Sequence, residues 1–253
     1  MSPRYCLITN DDGWHSPGLS VLKQAVKPFV PVVVAPEGER SGVGHAINLV
    51  NPLRIRKTSN TSYEYVCSGT PADCVKIGIK VIVKKRPNLV ISGINIGPNL
   101  GMDVLYSGTV SAAMEGAILG FPAIAISLVG YENLFWETAR KVVPVLIRLC
   151  LGGDLAADTV LNVNIPNLPP EQIRGYKITR QSQCRFEEDY EVRNDPRGCP
   201  YYWLKGNFLR KNAEKGTDVE AVLNNYVSIC PLHLDLTAYA LKVKLQRKLR
   251  RLI

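Results

Sequence analysis

The sequence predicts an α/β protein whose mostly parallel sheet lies between two layers of helices. First, near-continuous apolar runs alternate with helical patterns over the first two thirds of the chain. Such runs are typical of parallel strands that are buried on both faces. Second, polar, glycine-rich segments follow several of these runs, at the edge where open α/β sheets bind ligands. Third, the composition is globular, with 253 residues, 46% hydrophobic and 21% charged.

Five apolar runs are predicted as the strands of the sheet. They cover residues 4–9, 30–35, 87–92, 122–128 and 159–165. Apolar residues at helical spacing, small-residue runs and a proline at a first helical position predict the helices between them. The helices cover residues 17–27, 71–83, 109–120 and 133–150, the last with a kink at Pro144.

The chain is predicted to have three parts, because its character changes after Pro166. Residues 1–175 are predicted to form the α/β core, residues 176–230 an extended β-rich excursion, and residues 231–253 a C-terminal segment with a helix over 235–252. Aromatic side chains of the kind enriched in interfaces mark the excursion. They are Tyr190, Tyr201, Tyr202 and Trp203. We therefore expect a homodimer or homotetramer through this excursion, the alternative being an arm folded back on its own core.

The charge distribution and the cysteine content indicate which binding partners and which cellular compartment to expect. The formal net charge is +9, but residues 242–253 hold six basic and no acidic residues. This local excess predicts a solvated basic helix rather than a specific nucleic-acid surface, with anion or membrane-surface contact as alternatives. No apolar stretch approaches the length of a membrane span, and the N-terminus has no long signal-like apolar region. Seven cysteines, an odd number without a CxxC motif, predict a reducing, cytoplasmic location.

Two adjacent carboxylates, Asp11 and Asp12, directly follow the first predicted strand. Adjacent carboxylates repel each other unless a cation neutralises them, and hard divalent cations prefer oxygen ligands. The pair therefore predicts a metal site. The alternative is that one aspartate caps the following helix, although capping would account for only one of the two.

The segment 36–45 follows the second predicted strand and so lies at the same edge of the sheet. It contains Ser41 and Gly42, whose hydroxyl and backbone N–H could wrap an oxyanion. His45 is a candidate substrate-binding group, whereas His15 and His233 are interpreted as structural. An ordinary surface loop is the alternative for this segment.

The segment 91–116 carries the strongest signal for a functional loop. A strand end is followed by a glycine-rich loop with Asn95, Asn99 and Asp103, and then by Ser107-Gly108-Thr109 at the start of a small-residue helix. A serine N-cap beside free N–H groups makes an anion site, and the Asn95 carbonyl could bind a metal. The chain has no P-loop, no dinucleotide-binding GxGxxG and no GxSxG motif.

Several long blocks, in order along nearly the whole chain, resemble the SurE family of metal-dependent 5′/3′-nucleotidases. They include ITNDDGWHSPGL at 8–19, RSGVGH at 40–45, GTPADCV at 69–75, SGINIGPNLGMDVLYSGTVSAAMEG at 92–116, LNVNIP at 161–166 and GTDVEAVLNNYVSICPLHLDLT at 216–237. The resemblance implies a Rossmann-like core, a C-terminal excursion used in dimerisation, and one divalent cation per subunit, Mg²⁺, Mn²⁺ or Co²⁺. It implies that the metal ligands are Asp11, Asp12, Ser41 and Asn95.

The expected activity is release of phosphate from nucleoside 5′-monophosphates, with 3′-monophosphates and short polyphosphate as further substrates of the family. Three residues are expected to be catalytic: Asp12, Asn95 and Ser107. Six are expected to bind phosphate or substrate: Gly42, His45, Asn99, Ser107, Gly108 and Thr109. The alternative is a receiver-like or regulatory module that binds a nucleotide or phosphate without catalysis, but the central strand lacks the aspartate at its end that a receiver needs.

Overall fold

The fold is built around one sheet of nine strands, with two further strands in a separate hairpin. These elements come from a computed structural model that describes residues 3–58, 63–83, 86–153, 155–156, 158–184, 186–208 and 213–253. The strands are β1 (Tyr5–Thr9), β2 (Val30–Pro36), β3 (Ile55–Lys57), β4 (Glu64–Cys67), β5 (Leu89–Ile96), β6 (Ala123–Val129), β7 (Thr159–Pro166), β8 (Gly175–Ile178), β9 (Phe186–Asn194), β10 (Pro200–Phe208) and β11 (Tyr226–His233).

The sheet order is β3-β4-β2-β1-β5-β6-β7-β11-β8. The six strands from β4 to β7 in that order are parallel, so their carboxyl ends lie along one edge. At one side β3 is antiparallel to β4, and at the other β11 is antiparallel to β7 and parallel to β8. All five predicted strands are present, in a mostly parallel sheet.

Six α-helices accompany the sheet in the described part of the chain. They are α1 (Pro17–Ala25), α2 (Pro71–Ile77), α3 (Gly108–Ile118), α4 (Trp136–Cys150), α5 (Asp218–Leu223) and α6 (Tyr239–Leu249). One buried cluster joins α1 and α4 to the sheet and a second joins α2 and α3 to it. Because each sheet residue points to the face opposite its neighbours, these two clusters are the two sides of a three-layer α/β core. The predicted fold class is confirmed.

All five predicted helices are present with bounds that differ by a few residues, and the difference is largest in two of them. The predicted helix over 71–83 is α2 followed by a π-helical turn, Gly78–Ile82. The C-terminal helix α6 is shorter than predicted, and none of its side chains is buried. Its role in oligomerisation stays a prediction. Among the described residues, no helix is long and apolar enough to cross a membrane.

The part of the chain that projects from the sheet is narrower than the predicted excursion over 176–230. Strands β8 and β11, near the two ends of that segment, belong to the central sheet. Among the described strands, β9 and β10 alone pair solely with each other, in an antiparallel hairpin. The side chains of Tyr190, Tyr202 and Trp203 on this hairpin are all more than half exposed.

Candidate functional site

A cavity of about 500 Å³ lies where β1 and β5 end. Its lining includes Asp12, His15, Glu39, Ser41, Ile96 and Tyr131. These residues come from the segments after β1, β2 and β6 and from the last residue of β5, and the carboxyl ends of these four strands share one edge of the sheet. This is the edge at which open α/β sheets bind their ligands. The loops predicted to carry the site therefore meet there.

Asp11 is fixed against the first turn of α3. Its Oδ2 accepts a hydrogen bond from the backbone N–H of Thr109 at 3.0 Å, and its Oδ1 accepts one from the Thr109 hydroxyl. Gly108 makes this approach possible, because a Cβ there would lie 2.9 Å from the Cβ of Asp11. The positive end of the helix dipole favours a carboxylate at this position. Even so, burial raises the pKa of Asp11.

Asp12 is less buried and reaches into the cavity. Its Oδ2 accepts a hydrogen bond from the backbone N–H of Ile96 at 3.2 Å and a longer one from Ser16 Oγ at 3.5 Å. Burial first, and the charge of Asp11 second, raise the pKa of Asp12 to about 6. No salt bridge in the described ranges reaches either carboxylate. The pair thus carries negative charge that the neighbouring side chains do not neutralise.

Asn95, at the end of β5, presents its side-chain oxygen to the same place. Its Nδ2 donates to the carbonyl of Gly97 at 3.0 Å, which fixes the orientation of the amide. Its Oδ1 lies 3.4 Å from the hydroxyl of Thr109, the residue that also holds Asp11. Ser41 lines the cavity beside Asp12 and donates to Glu39 at 2.7 Å.

These residues fit a hard divalent cation by the chemistry of their donor set. Two carboxylates with raised pKa values lie beside an amide and a hydroxyl oxygen, and such cations prefer oxygen ligands. Within the described ranges, no group of three or more His, Cys, Asp or Glu side chains is placed to hold a metal ion. Neutral oxygens such as those of Asn95 and Ser41 would have to complete such a site.

The start of α3 is arranged as an N-cap. Ser107 is the N-cap residue, and its Oγ accepts from the N–H of Val110 at 3.0 Å. The N–H of Thr109 is engaged by Asp11, and that of Ser111 donates to the carbonyl of Ser107. The first N–H groups of a helix have no partner within the helix, so the N–H of Gly108 remains for a ligand.

His45 contacts Glu115, a buried carboxylate on α3 that also pairs with Lys76 on α2. Its Nε2 lies 3.0 Å from Oε2 of Glu115, and Lys76 Nζ lies 2.7 Å from Oε1 of the same carboxylate. Burial raises the pKa of Glu115, but hydrogen bonds from His45 and Lys76 and their charges outweigh it, so the net pKa is lowered. The cluster ties the loop after β2 to α2 and α3.

Asn99 occupies a different place from the carboxylates. Its Nδ2 donates to Ser127 Oγ at 2.8 Å, its N–H donates to Asn164 Oδ1, and its carbonyl accepts from Asn162 and Asn164. These partners lie on β6 and β7. Its hydrogen bonds therefore fasten the loop after β5 to neighbouring strands, and they do not join Asn99 to Asp11 or Asp12.

Sequence reasoning missed four residues that the structure brings to the site. His15, interpreted as structural, lines the cavity, as do Glu39 and Tyr131. Glu115 lies on α3 beneath His45. A usable signal existed for Glu115, because it is a lone acid in a helix of small, buried residues. No local pattern marks Tyr131, because its ring packs against Gly97, which is distant in the sequence.

The fold and the site define an open α/β protein with an oxygen-lined, acidic ligand cavity at the carboxyl ends of its strands. The chain belongs to the SurE family, since the sequence model of the family described as "Survival protein SurE" matches residues 6–188. It is 51% identical over 235 residues to the "5′-nucleotidase SurE" of Aquifex aeolicus, covering 92% of this chain and 93% of that protein.

Two further comparisons agree with this assignment. The chain is 44% identical to the "5′/3′-nucleotidase SurE" of Klebsiella pneumoniae, over 92% of this chain and 91% of that protein. It is also similar to the crystal structure of the SurE protein from Aquifex aeolicus, with a TM-score of 0.85 and 48% identity over 96% of this chain and 98% of that one.

Proposed function

We propose that this chain is a phosphomonoester hydrolase that releases phosphate from nucleoside 5′-monophosphates, with 3′-monophosphates and short polyphosphate as secondary substrates. The observation that carries the proposal is the adjacent Asp11–Asp12 pair: Asp11 is buried against the start of α3, and Asp12 lines a cavity large enough for a nucleotide. The names of the Aquifex and Klebsiella relatives support it. A receiver-like binding module is not favoured, because β5 ends in Asn95 and Ile96 without an aspartate.

We propose that Asp11, Asp12, Ser41 and Asn95 hold one divalent cation per subunit, Mg²⁺, Mn²⁺ or Co²⁺. A bound cation of this kind neutralises phosphate charge and lowers the pKa of a water molecule. Asp11 and Asp12 then gain the counter-charge that their surroundings lack. The support is the oxygen donor set and the raised pKa values of both carboxylates.

The phosphate is proposed to lie between the loop after β2 and the start of α3. The N–H of Gly108, left over at the helix start, and the N–H of Gly42 are the proposed donors to its oxygens. The Ser107 hydroxyl accepts from Val110 and keeps its own hydrogen for a phosphate oxygen. Thr109 positions the side chains of Asp11 and Asn95. His45 fastens the loop after β2, which contains Gly42, to Glu115.

Two routes for the displacement are open, and one measurement separates them. In the first, water attacks phosphorus, the bond between phosphorus and the nucleoside oxygen breaks, and that oxygen takes up a proton. In the second, the Asp12 carboxylate attacks phosphorus, the nucleoside oxygen leaves and takes up a proton, and water then hydrolyses the aspartyl phosphate. Borohydride added during turnover reduces an aspartyl phosphate, so it converts Asp12 to homoserine by the second route and leaves Asp12 unchanged by the first.

The test of the proposed function is phosphate release from a panel of nucleoside 5′- and 3′-monophosphates. The panel is measured with EDTA and with each of Mg²⁺, Mn²⁺ and Co²⁺. We expect turnover that needs a divalent cation and that the Asp12→Asn variant lowers to less than a tenth of wild type, a barrier change above about 1.4 kcal/mol. Glu137→Gln, which removes an exposed charge on α4, is the control. Absence of phosphate release under every condition would refute the proposal.

We also propose that the chain forms a homodimer or homotetramer through the β9–β10 hairpin. The support is the exposure of large aromatic side chains on a hairpin that pairs only with itself. Light scattering at micromolar concentration should give at least twice the 28.0 kDa of one chain. A mass of one chain would contradict the proposal. The cytoplasmic location stays a prediction, in keeping with seven free cysteines.

A further inference from the structure

We propose that the ring of Tyr131 is the platform on which the base of the substrate stacks. This inference rests on the proposed nucleotidase function and assigns the part of the site that selects nucleotides among phosphomonoesters. Tyr131 follows β6, lines the same cavity as Asp12, and is 74% exposed. A large aromatic side chain left open to solvent beside a polar site offers a face to a flat aromatic ligand.

The ring of Tyr131 lies directly on the backbone of Gly97. A Cβ at Gly97 would lie 2.7 Å from Cε1 of Tyr131, closer than carbon atoms approach, and Gly97 has a φ of +106°. Only glycine fits both conditions without strain. The preceding residue, Ile96, donates its N–H to Asp12 at 3.2 Å. The ring and the carboxylate are therefore supported by adjacent residues at the end of β5.

The loop that carries Tyr131 is braced by one side chain, that of Asn167 at the end of β7. Its Nδ2 donates to the carbonyls of Glu132 at 3.2 Å and Asn133 at 3.4 Å, and its Oδ1 accepts from the N–H of Phe135 at 2.8 Å. A Cβ at Gly130 would lie 2.6 Å from Asn167 Nδ2, so the brace packs tightly. A ring held in place before binding loses little entropy when a ligand stacks on it.

The cavity joins two kinds of surface that match the two ends of a nucleotide. Asp12, Glu39 and Ser41 supply polar oxygens for the phosphate end and its cation. Pro17, Ile96 and Tyr131 supply apolar and aromatic surface. Every base has a π-face, so stacking on Tyr131 would accept all nucleosides and would discriminate against phosphomonoesters without a base.

The experiment compares adenosine 5′-monophosphate with ribose 5-phosphate, which carries the same phosphate and sugar without the base. Wild type, Tyr131→Ala, Tyr131→Phe and, as a control for an exposed tyrosine elsewhere, Tyr239→Ala are assayed with Mg²⁺. For adenosine 5′-monophosphate, Tyr131→Ala should raise KM about tenfold with a smaller change in kcat, as expected for loss of one base stack. The KM for ribose 5-phosphate should stay within twofold, and Tyr131→Phe should behave as wild type.

Equal losses on the two substrates, or no loss on the nucleotide, would overturn the stacking platform while leaving the hydrolase proposal intact. If wild type hydrolyses neither substrate, calorimetric titration with adenosine 5′-monophosphate tests the stacking platform independently of the hydrolase proposal. In that case, binding that weakens about tenfold in Tyr131→Ala and not in Tyr131→Phe supports the platform. Binding equal in wild type and Tyr131→Ala, or no binding to wild type, overturns it.

Discussion

The backbone N–H of Thr109 donates to Oδ2 of Asp11 at 3.0 Å, which joins the end of β1 to the start of α3. The Thr109 hydroxyl also contacts Asp11 and lies 3.4 Å from Asn95 Oδ1. One residue therefore sets the positions of two proposed metal ligands from different strands. The N–H groups of Thr109, Val110 and Ser111 donate to Asp11, to the Ser107 hydroxyl and to the Ser107 carbonyl. At the start of α3 the N–H of Gly108 is therefore the one left to donate to a phosphate oxygen.

The stability of the metal-free protein should depend on the ionisation of Asp12. Burial and the charge of Asp11 raise its pKa from 3.8 to about 6, so the native chain binds this proton more tightly than the unfolded chain. The stabilisation is complete below the unfolded pKa and is lost as the pH rises through the native one. In EDTA, the unfolding free energy of Asp12→Asn relative to wild type should therefore increase between about pH 4 and about pH 7. Urea unfolding measured at several pH values checks this. A difference in unfolding free energy between the two proteins that does not change with pH would contradict the prediction.

Ser107→Ala should affect both stability and phosphate binding. Loss of the N-cap acceptor for Val110 should lower the unfolding free energy by about 1 kcal/mol. The KM for nucleotide should rise, with little change in metal affinity, because the hydroxyl is proposed to donate to phosphate. The control is Thr217→Ala, which removes the N-cap of α5. The Thr217 hydroxyl accepts a hydrogen bond from the N–H of Glu220 at 3.3 Å. If both variants leave KM unchanged, Ser107 is only a cap.

Glu115→Gln should loosen the loop that carries Ser41, Gly42 and His45. The variant leaves Lys76 without a charged partner and weakens the contact with His45, at a cost of about 1–3 kcal/mol in unfolding free energy. We expect KM for nucleotide to rise more than kcat falls, since the loop is proposed to bind phosphate. Glu137→Gln breaks an exposed pair with Lys141 and should leave the unfolding free energy almost unchanged. Equal effects of the two variants would argue against a positioning role for Glu115.

Gly18→Ala should destabilise the fold strongly. Gly18 lies in the first turn of α1, and a Cβ there would come within 2.0 Å of the carbonyl oxygen of Ile94, which is backbone and cannot swing away. We expect a loss of about 3 kcal/mol or more, from displacement of α1 away from β5. Gly38→Ala is the matched control, because nothing lies within 4 Å of a Cβ at that position. Thermal unfolding measured by circular dichroism distinguishes the two, and similar melting temperatures would refute the prediction.

The sequence predicted the buried strands and their helices, because each is marked by a continuous local pattern. The sequence patterns did not predict that β11 would pair with β7 in the central sheet. Pro231 argues against a paired strand, and its placement opposite Leu161 depends on packing between distant segments. The small-residue segment over 109–120 was correctly expected to be a helix.

The candidate site was predictable where chemistry follows a strand end directly. Asp11, Asp12 and Asn95 each occupy such a position, and the structure brings them to one place. Asn99 was expected in the same group by its loop, but hydrogen bonds to Ser127 and Asn164 hold it over β6 and β7. Tyr131 could not be found, because its environment is made by Gly97, which is its neighbour only in space.

The late position of β11 in the chain has a consequence for biosynthesis. Strand β7 has β6 on one side, but its other neighbour, β11, is synthesised only after the β9–β10 hairpin and α5. At about 5–20 residues per second, the ribosome takes several seconds to supply it. During that interval the nascent chain presents β7, an apolar strand with an unpaired edge, to other chains. Chaperones that cover exposed strand edges should therefore raise the yield of this protein when they act on nascent chains, more than when they are added after release.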